Sequence, residues 1–184
     1  WYDPDPRGIL PLDKFHIPKR LKKIIRQQPF QLTLDKAFHQ VIAGCAEATT
    51  DRPRTWINQT IIDLYTGLHQ RGLAHSIEAW EGNELVGGLY GVALGAAFFG
   101  ESMFSRRPNA SKICLCALAA QLWDDGYHLF DTQFVNPHLV QFGAIEIPRS
   151  QYHRRLENAI IVKLAFPSQL QDSALHHFME RATP

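Results

Sequence analysis

The sequence holds 184 residues, 45% hydrophobic and 20% charged, with a formal net charge of +1. That composition builds a globular core and excludes global disorder, and no apolar run approaches the eighteen or so residues of a membrane span. Three cysteines without paired spacing argue against a disulfide framework and fit a reducing, cytoplasmic setting.

No secretory leader is visible, although the sequence opens on Trp1 and not on a methionine. Pro4, Pro6 and Pro11 make the opening extended or turning. A short helix is predicted over Pro18 to Arg26, with Leu21, Ile24 and Ile25 inward. Phe30 to Leu34 alternates as a half-buried strand. Asp35 is then placed as N-cap of a helix over Lys36 to Ala46, followed by a loop from Glu47 to Arg54. Asn58 caps the next helix, whose inner stripe is Ile61, Leu64, Tyr65 and Leu68, and Gly72 ends it. His75 to Trp80 and Leu85 to Leu94 form a hairpin about Gly82-Asn83. Ala96 to Phe104 reads as a strand with a break at Gly100. Asn109 to Asp125 is an apolar helix, Leu129 to Phe134 a strand, and Asn136-Pro137 a helix start. Ala144 to Ile147 is a last strand, and Gln169 to Arg181 can form a helix.

Together these elements predict an α/β (α+β) domain over residues 1–160. Its mostly antiparallel mixed sheet has about five or six strands, flanked by helices. A tail follows over 161–184.

Four segments carry chemistry. Lys19, Arg20, Lys22, Lys23 and Arg26 put five cations into eight residues, with no acid between Lys14 and Leu34. They are either a phosphate-binding face or a solvated helix surface. The glycine-rich run from Val86 to Gly95 is neither a dinucleotide fingerprint nor a phosphate-binding loop. It marks either a ligand's close approach or a packing bulge. Glu101 sits among Phe98, Phe99, Met103 and Phe104, where a carboxylate needs a partner or becomes harder to ionise. On the strand Phe130-Asp-Thr-Gln-Phe134, Asp131 and Gln133 share one face, with Phe130, Thr132 and Phe134 on the other. Nine histidines without a ligand-like spacing, and no C-x-x-C, argue against a metal site. No G-x-S-x-G elbow supports a hydrolase.

These segments in order resemble the leucyl/phenylalanyl-tRNA–protein transferases. The resemblance is carried by Trp1-Tyr-Asp-Pro-Asp-Pro-Arg7, Thr55-Trp-Ile57, Ala74-His-Ser-Ile-Glu-Ala-Trp80, Leu85-Val-Gly-Gly-Leu-Tyr-Gly-Val92, Gly100-Glu-Ser-Met-Phe-Ser105, Asn109-Ala-Ser-Lys112, Asp131-Thr-Gln133 and Gly143-Ala-Ile-Glu-Ile-Pro-Arg149. It implies a GNAT-type acyltransferase fold without a CoA ligand. The implied activity moves leucine or phenylalanine, less readily methionine, from aminoacyl-tRNA to proteins beginning with arginine or lysine, which marks them for proteolysis.

Carried over by motif, Asp131, Gln133 and Glu101 are catalytic, Trp56 stands beside the tRNA end, and Leu89, Phe98 and Asn136 bind substrate. The basic residues Lys19, Arg20, Lys22, Lys23 and Arg26 would meet tRNA phosphates. Members of the family normally carry a further segment before the Trp1 block, with a tryptophan near the aminoacyl adenosine. The reaction is aminolysis of an already activated ester, so no metal, nucleotide or other cofactor is expected. Gln133 would orient the attacking amine, Asp131 would supply the charge that draws its proton, and Glu101 would help attract a cationic N-terminus. The protein is read as a monomer without a membrane partner. An acyl-CoA-dependent N-acyltransferase of the same fold and a non-catalytic RNA-binding module are the rival classes.

Overall fold

The alternating stretches pair into one seven-stranded mixed sheet in a computed structural model that describes residues 3–48 and 55–181. The strands are β1 (Arg7–Ile9), β2 (Gln31–Leu34), β3 (Ala74–Glu81), β4 (Glu84–Leu94), β5 (Ala97–Ser105), β6 (Leu129–Gln133) and β7 (Ile145–Ile147). Their order is β2-β3-β4-β5-β6-β1-β7, and only β5 and β6 run parallel. The helices are α1 (Lys19–Ile25), α2 (Phe38–Ala46), α3 (Gln59–Gln70), α4 (Ala110–Asp124), α5 (Pro137–Val140), α6 (Arg149–Ile160) and α7 (Asp172–Glu180). The mixed sheet flanked by helices is the expected class, with one or two more strands. The loop expected up to Arg54 and the start of the opening block lie largely outside the described residues.

Alternation, stepped by a bulge at Val86, divides β4 between two cores. Leu89 and Val86 pack with Ile113, Leu115 and Leu118 of α4, while Tyr90 and Leu85 pack with Phe38, Val41 and Ile42 of α2 and Tyr65 of α3. α1 joins the α4 core through Leu21 and Ile25, and α7 joins it through Phe178 and Met179. The tail is therefore sewn into the same core: Phe166 stacks on His75 at 3.9 Å. Arg181 reaches the carbonyl oxygens of Leu12 and Phe15.

The proline-rich opening is extended, as expected, and its β1 slots between β6 and β7. Two expectations need correction. Asp35 does not cap α2. Its backbone is left-handed (φ 57°), and its carboxylate accepts the Ser76 N–H and pairs with the His75 ring. On α3 only Tyr65 is buried, and Leu64 is 44% exposed. The stripe of Ile61, Leu64 and Leu68 faces a cavity. Asn58 does cap that helix, accepting from the Ile61 N–H.

The glycine run resolves as a packing device with a bulge. Gly91 pairs with Gly100 and Tyr90 with Ser102, so Glu101 is the extra residue on β5. A Cβ on Gly91 would lie 2.2 Å from the Phe99 carbonyl oxygen. Gly91→Ala is expected to lower stability by about 1–3 kcal/mol. An unshifted urea midpoint would remove this packing role.

Candidate active site

Parallel β5 and β6 are paired at Ala97–Leu129, Phe98–Phe130 and Phe99–Asp131, and then part. Beyond that point Gly100–Ser105 and Thr132–Gln133 border a gap with a cavity on each side. The first cavity, of about 910 Å³, lies against α4 and α5. Its apolar wall includes Leu89, Met103, Leu115, Leu118, Phe130 and Leu139. The second, of about 1050 Å³, lies between α3 and α6 and carries Trp56, Leu64, Tyr65, Phe99, Gln133 and Phe134. Glu101 lines both. The bulge re-aims its side chain into the gap, and burial pushes its carboxyl up, partly offset by a hydrogen bond from Tyr65. Burial and the neighbouring Glu101 in turn raise the Tyr65 hydroxyl.

Gln133 ends β6 with φ 58°, a left-handed conformation that costs a non-glycine residue free energy. Asp131 supplies what holds it there. Asp131 Oδ1 accepts the Gln133 backbone N–H at 3.0 Å, and Oδ2 accepts its side-chain Nε2 at 3.4 Å. With the amide nitrogen committed to Asp131, Gln133 Oε1 remains an acceptor on the second cavity.

Asp131 itself is 0% exposed and lines neither cavity. Arg7 binds it through Nε at 2.9 Å and Nη2 at 2.5 Å, and the Tyr152 hydroxyl donates to Oδ2 at 3.1 Å. The Arg7 guanidinium also lies 4.5 Å over the Tyr152 ring. Burial alone would lower the Arg7 guanidinium, but its hydrogen bonds to Asp131 and that residue's charge outweigh it, and the net shift is upward. Burial and the Asp131 charge push the Tyr152 hydroxyl up. A carboxylate so fully occupied cannot reach an incoming amine. Its geometry suits holding Gln133.

Other expected residues divide. Glu101, Gln133 and Trp56 meet at the second cavity, Trp56 being 51% exposed. Glu101, Leu89 and Asn136 border the first, and Asn136 also caps α5 by accepting the Leu139 N–H. Phe98 does not line either cavity. At 1% exposed it packs edge-to-face on Phe130, because it still lies in the paired part of the strand. Phe134 leaves the face of Phe130 for the second cavity, since the backbone turns at Gln133. On α1, Lys19, Arg20, Lys23 and Arg26 are exposed and fall within about 120° of arc at 100° per residue. Lys22 is turned away and donates to the Met179 carbonyl oxygen.

Arg7, Tyr152, Tyr65 and Phe99 were not singled out from the sequence as site residues. Only Arg7 carried a signal, standing inside the opening block. Among the described residues no group of three or more His, Cys, Asp or Glu is arranged to hold a metal ion.

The family model described as leucyl/phenylalanyl-tRNA protein transferase matches residues 9–157. The chain belongs to this family. A leucyl/phenylalanyl-tRNA--protein transferase from Hyphomonas neptunium is 58% identical over 89% of this chain and 64% of its own length. One from Paramagnetospirillum magneticum is 57% identical over 87% of this chain and 77% of its own length. The chain thus spans a little under two thirds of the Hyphomonas relative. Among solved structures, a functionally unknown conserved protein from Staphylococcus epidermidis is similar at a TM-score of 0.37. Its identity is 10%, over 72% of this chain and 65% of that one, a likeness too slight to build on.

Proposed function

We propose that the chain transfers leucine or phenylalanine, less readily methionine, from aminoacyl-tRNA to the α-amino group of proteins that begin with arginine or lysine, marking them for degradation. The protein acts as a cytoplasmic monomer of GNAT-type fold, without a cofactor. The observation that carries this reading is the pair of cavities that share Glu101 between the parted strands, with Gln133 on the second. An aminolysis needs a seat for each reactant and a polar contact between them.

The apolar first cavity seats the transferred side chain. Its walls hold leucine or phenylalanine by burial, and one methyl more or less changes the fit by only about 1–3 kcal/mol. The second cavity, with Trp56 and Phe134, offers aromatic faces to the terminal adenosine. The acceptor's neutral amine donates a hydrogen bond to Gln133 Oε1, which aims its lone pair at the ester carbon. The new C–N bond forms, the bond from carbon to the ribose oxygen breaks, and one amine proton ends on that oxygen. Gln133 is too weak a base to take the proton outright. Glu101, held part-buried in the gap, favours a cationic first residue beside the amine.

Labelled leucine, carried from leucyl-tRNA to a peptide beginning with arginine, tests the reading. Absence of transfer by the native chain would end it. The exposed face of α1 would meet tRNA phosphates. Lys23→Ala with Arg26→Ala is expected to weaken tRNA binding and to flatten the plot of log affinity against log salt by about 1.5 in slope. An unchanged slope would detach α1 from the RNA.

A further inference from the structure

The first cavity has a polar side that an apolar cargo leaves unused. Five buried side-chain polar atoms lack a partner among the described residues, and two of them belong to residues on the α4 and α5 side of this cavity: Thr132 Oγ1 and His138 Nε2. Orphaned atoms gathered in one cavity call for a ligand that satisfies them. Lys112 lines the same side, only partly exposed, and its ammonium makes no ion pair or hydrogen bond among the described residues. A half-buried cation without a counter-ion is costly unless something anionic visits it. Burial and the Lys112 charge push His138 down, which leaves a neutral ring able to offer one N–H. Asn109, at the start of α4, also borders the cavity and makes no capping bond.

The location suggests which anion. Lys112 precedes Ile113 on the first turn of α4, and Ile113 shares a surface groove with Ile25 of α1. Lys112 also lines the cavity that Glu101 borders at the gap. An RNA 3′ end whose aminoacyl group enters that cavity from the gap brings its last phosphodiester to the same mouth.

We infer that Lys112 and His138 seat a phosphodiester oxygen of the donor's unpaired 3′ strand, just before the aminoacylated nucleotide. This inference rests on the proposed transfer reading. Lysine suits it as a point charge for phosphate, and the neutral imidazole adds a directed N–H. An acceptor protein enters amine-first and brings no anion to that side.

Two non-hydrolysable probes test this. One is adenosine carrying leucine through an amide at its 3′ position, which has no phosphate. The other is the trinucleotide CCA carrying leucine in the same way. The native chain is expected to bind the trinucleotide about tenfold more tightly than the nucleoside. Lys112→Gln removes most of that gain, lowers the salt slope for the trinucleotide by about 0.7, and leaves the nucleoside's affinity and the acceptor peptide's KM unchanged. His138→Leu loses part of the gain and His138→Gln recovers it. Equal affinity of the native chain for both probes overturns the inference, as does a Lys112→Gln variant that keeps the full gain or loses both probes alike. If the native chain binds neither probe, the transfer reading falls as well.

Discussion

Replacing Asp131 with alanine should destabilise the chain by about 3–5 kcal/mol, because it takes the buried, bidentate partner from the Arg7 guanidinium and leaves it the longer contact to the exposed Asp3 carboxylate at 3.6 Å. The bidentate contact and the 0% exposure of Asp131 set that size. The Tyr152 hydroxyl and the Gln133 backbone would lose their acceptor in the same step. Urea denaturation reads the effect, and a shift under about 1 kcal/mol would contradict a buried pair of this kind. The triple variant Arg7→Met, Asp131→Leu, Tyr152→Phe separates folding from chemistry. Swapping a buried polar cluster for apolar side chains of similar volume often restores stability. The triple variant should therefore unfold later than Asp131→Ala yet transfer no leucine, since nothing then holds Gln133. Transfer at the native rate would free Gln133 from any need of Asp131.

Gln133→Ala should leave folding nearly intact and lower kcat about a hundredfold, the low end of what a positioned proton-handling group contributes. The side chain is part-exposed at the cavity, so truncating it opens no hole in the core. The left-handed φ remains tethered by the backbone N–H on Asp131. On the proposed reading the donor is held by Trp56, Phe134 and the apolar first cavity, so the aminoacyl-tRNA affinity should hold. If the affinity falls and kcat does not, Gln133 belongs to recognition and not to the chemical step.

Much of the scaffold was legible because period and punctuation both pointed the same way. The Gly82-Asn83 hairpin and the Asn58 and Asn136 caps stand as read. The Asp131–Gln133 spacing put both side chains on one side, as alternation demands. What stayed hidden is what alternation cannot carry. The ion pair from Arg7 to Asp131 joins residues 124 apart, and no local pattern announces such a partner. Phe98 is placed at the pocket by motif alone, and a motif does not show where β5 leaves β6, which is one residue further on. The α3 stripe is amphipathic whether it covers a core or borders a void, so Leu64 was read as inward. Asp35 has the residue type of a cap, but the His75 ring and the Ser76 amide claim its oxygens.

The placement of β1 beside β6 bears on synthesis. Arg7 leaves the ribosome long before its strand partners and the tyrosine beneath its guanidinium, which belong to the stretch from Leu129 to Tyr152. Until that stretch emerges, the Arg7 cation has Asp3 beside it in sequence, but its segment has two open strand edges, and pairings so distant in sequence close slowly. A nascent chain stalled before Tyr152 would therefore hold the apolar hairpin of β3 and β4 while the Arg7 segment stayed outside the sheet and open to proteases.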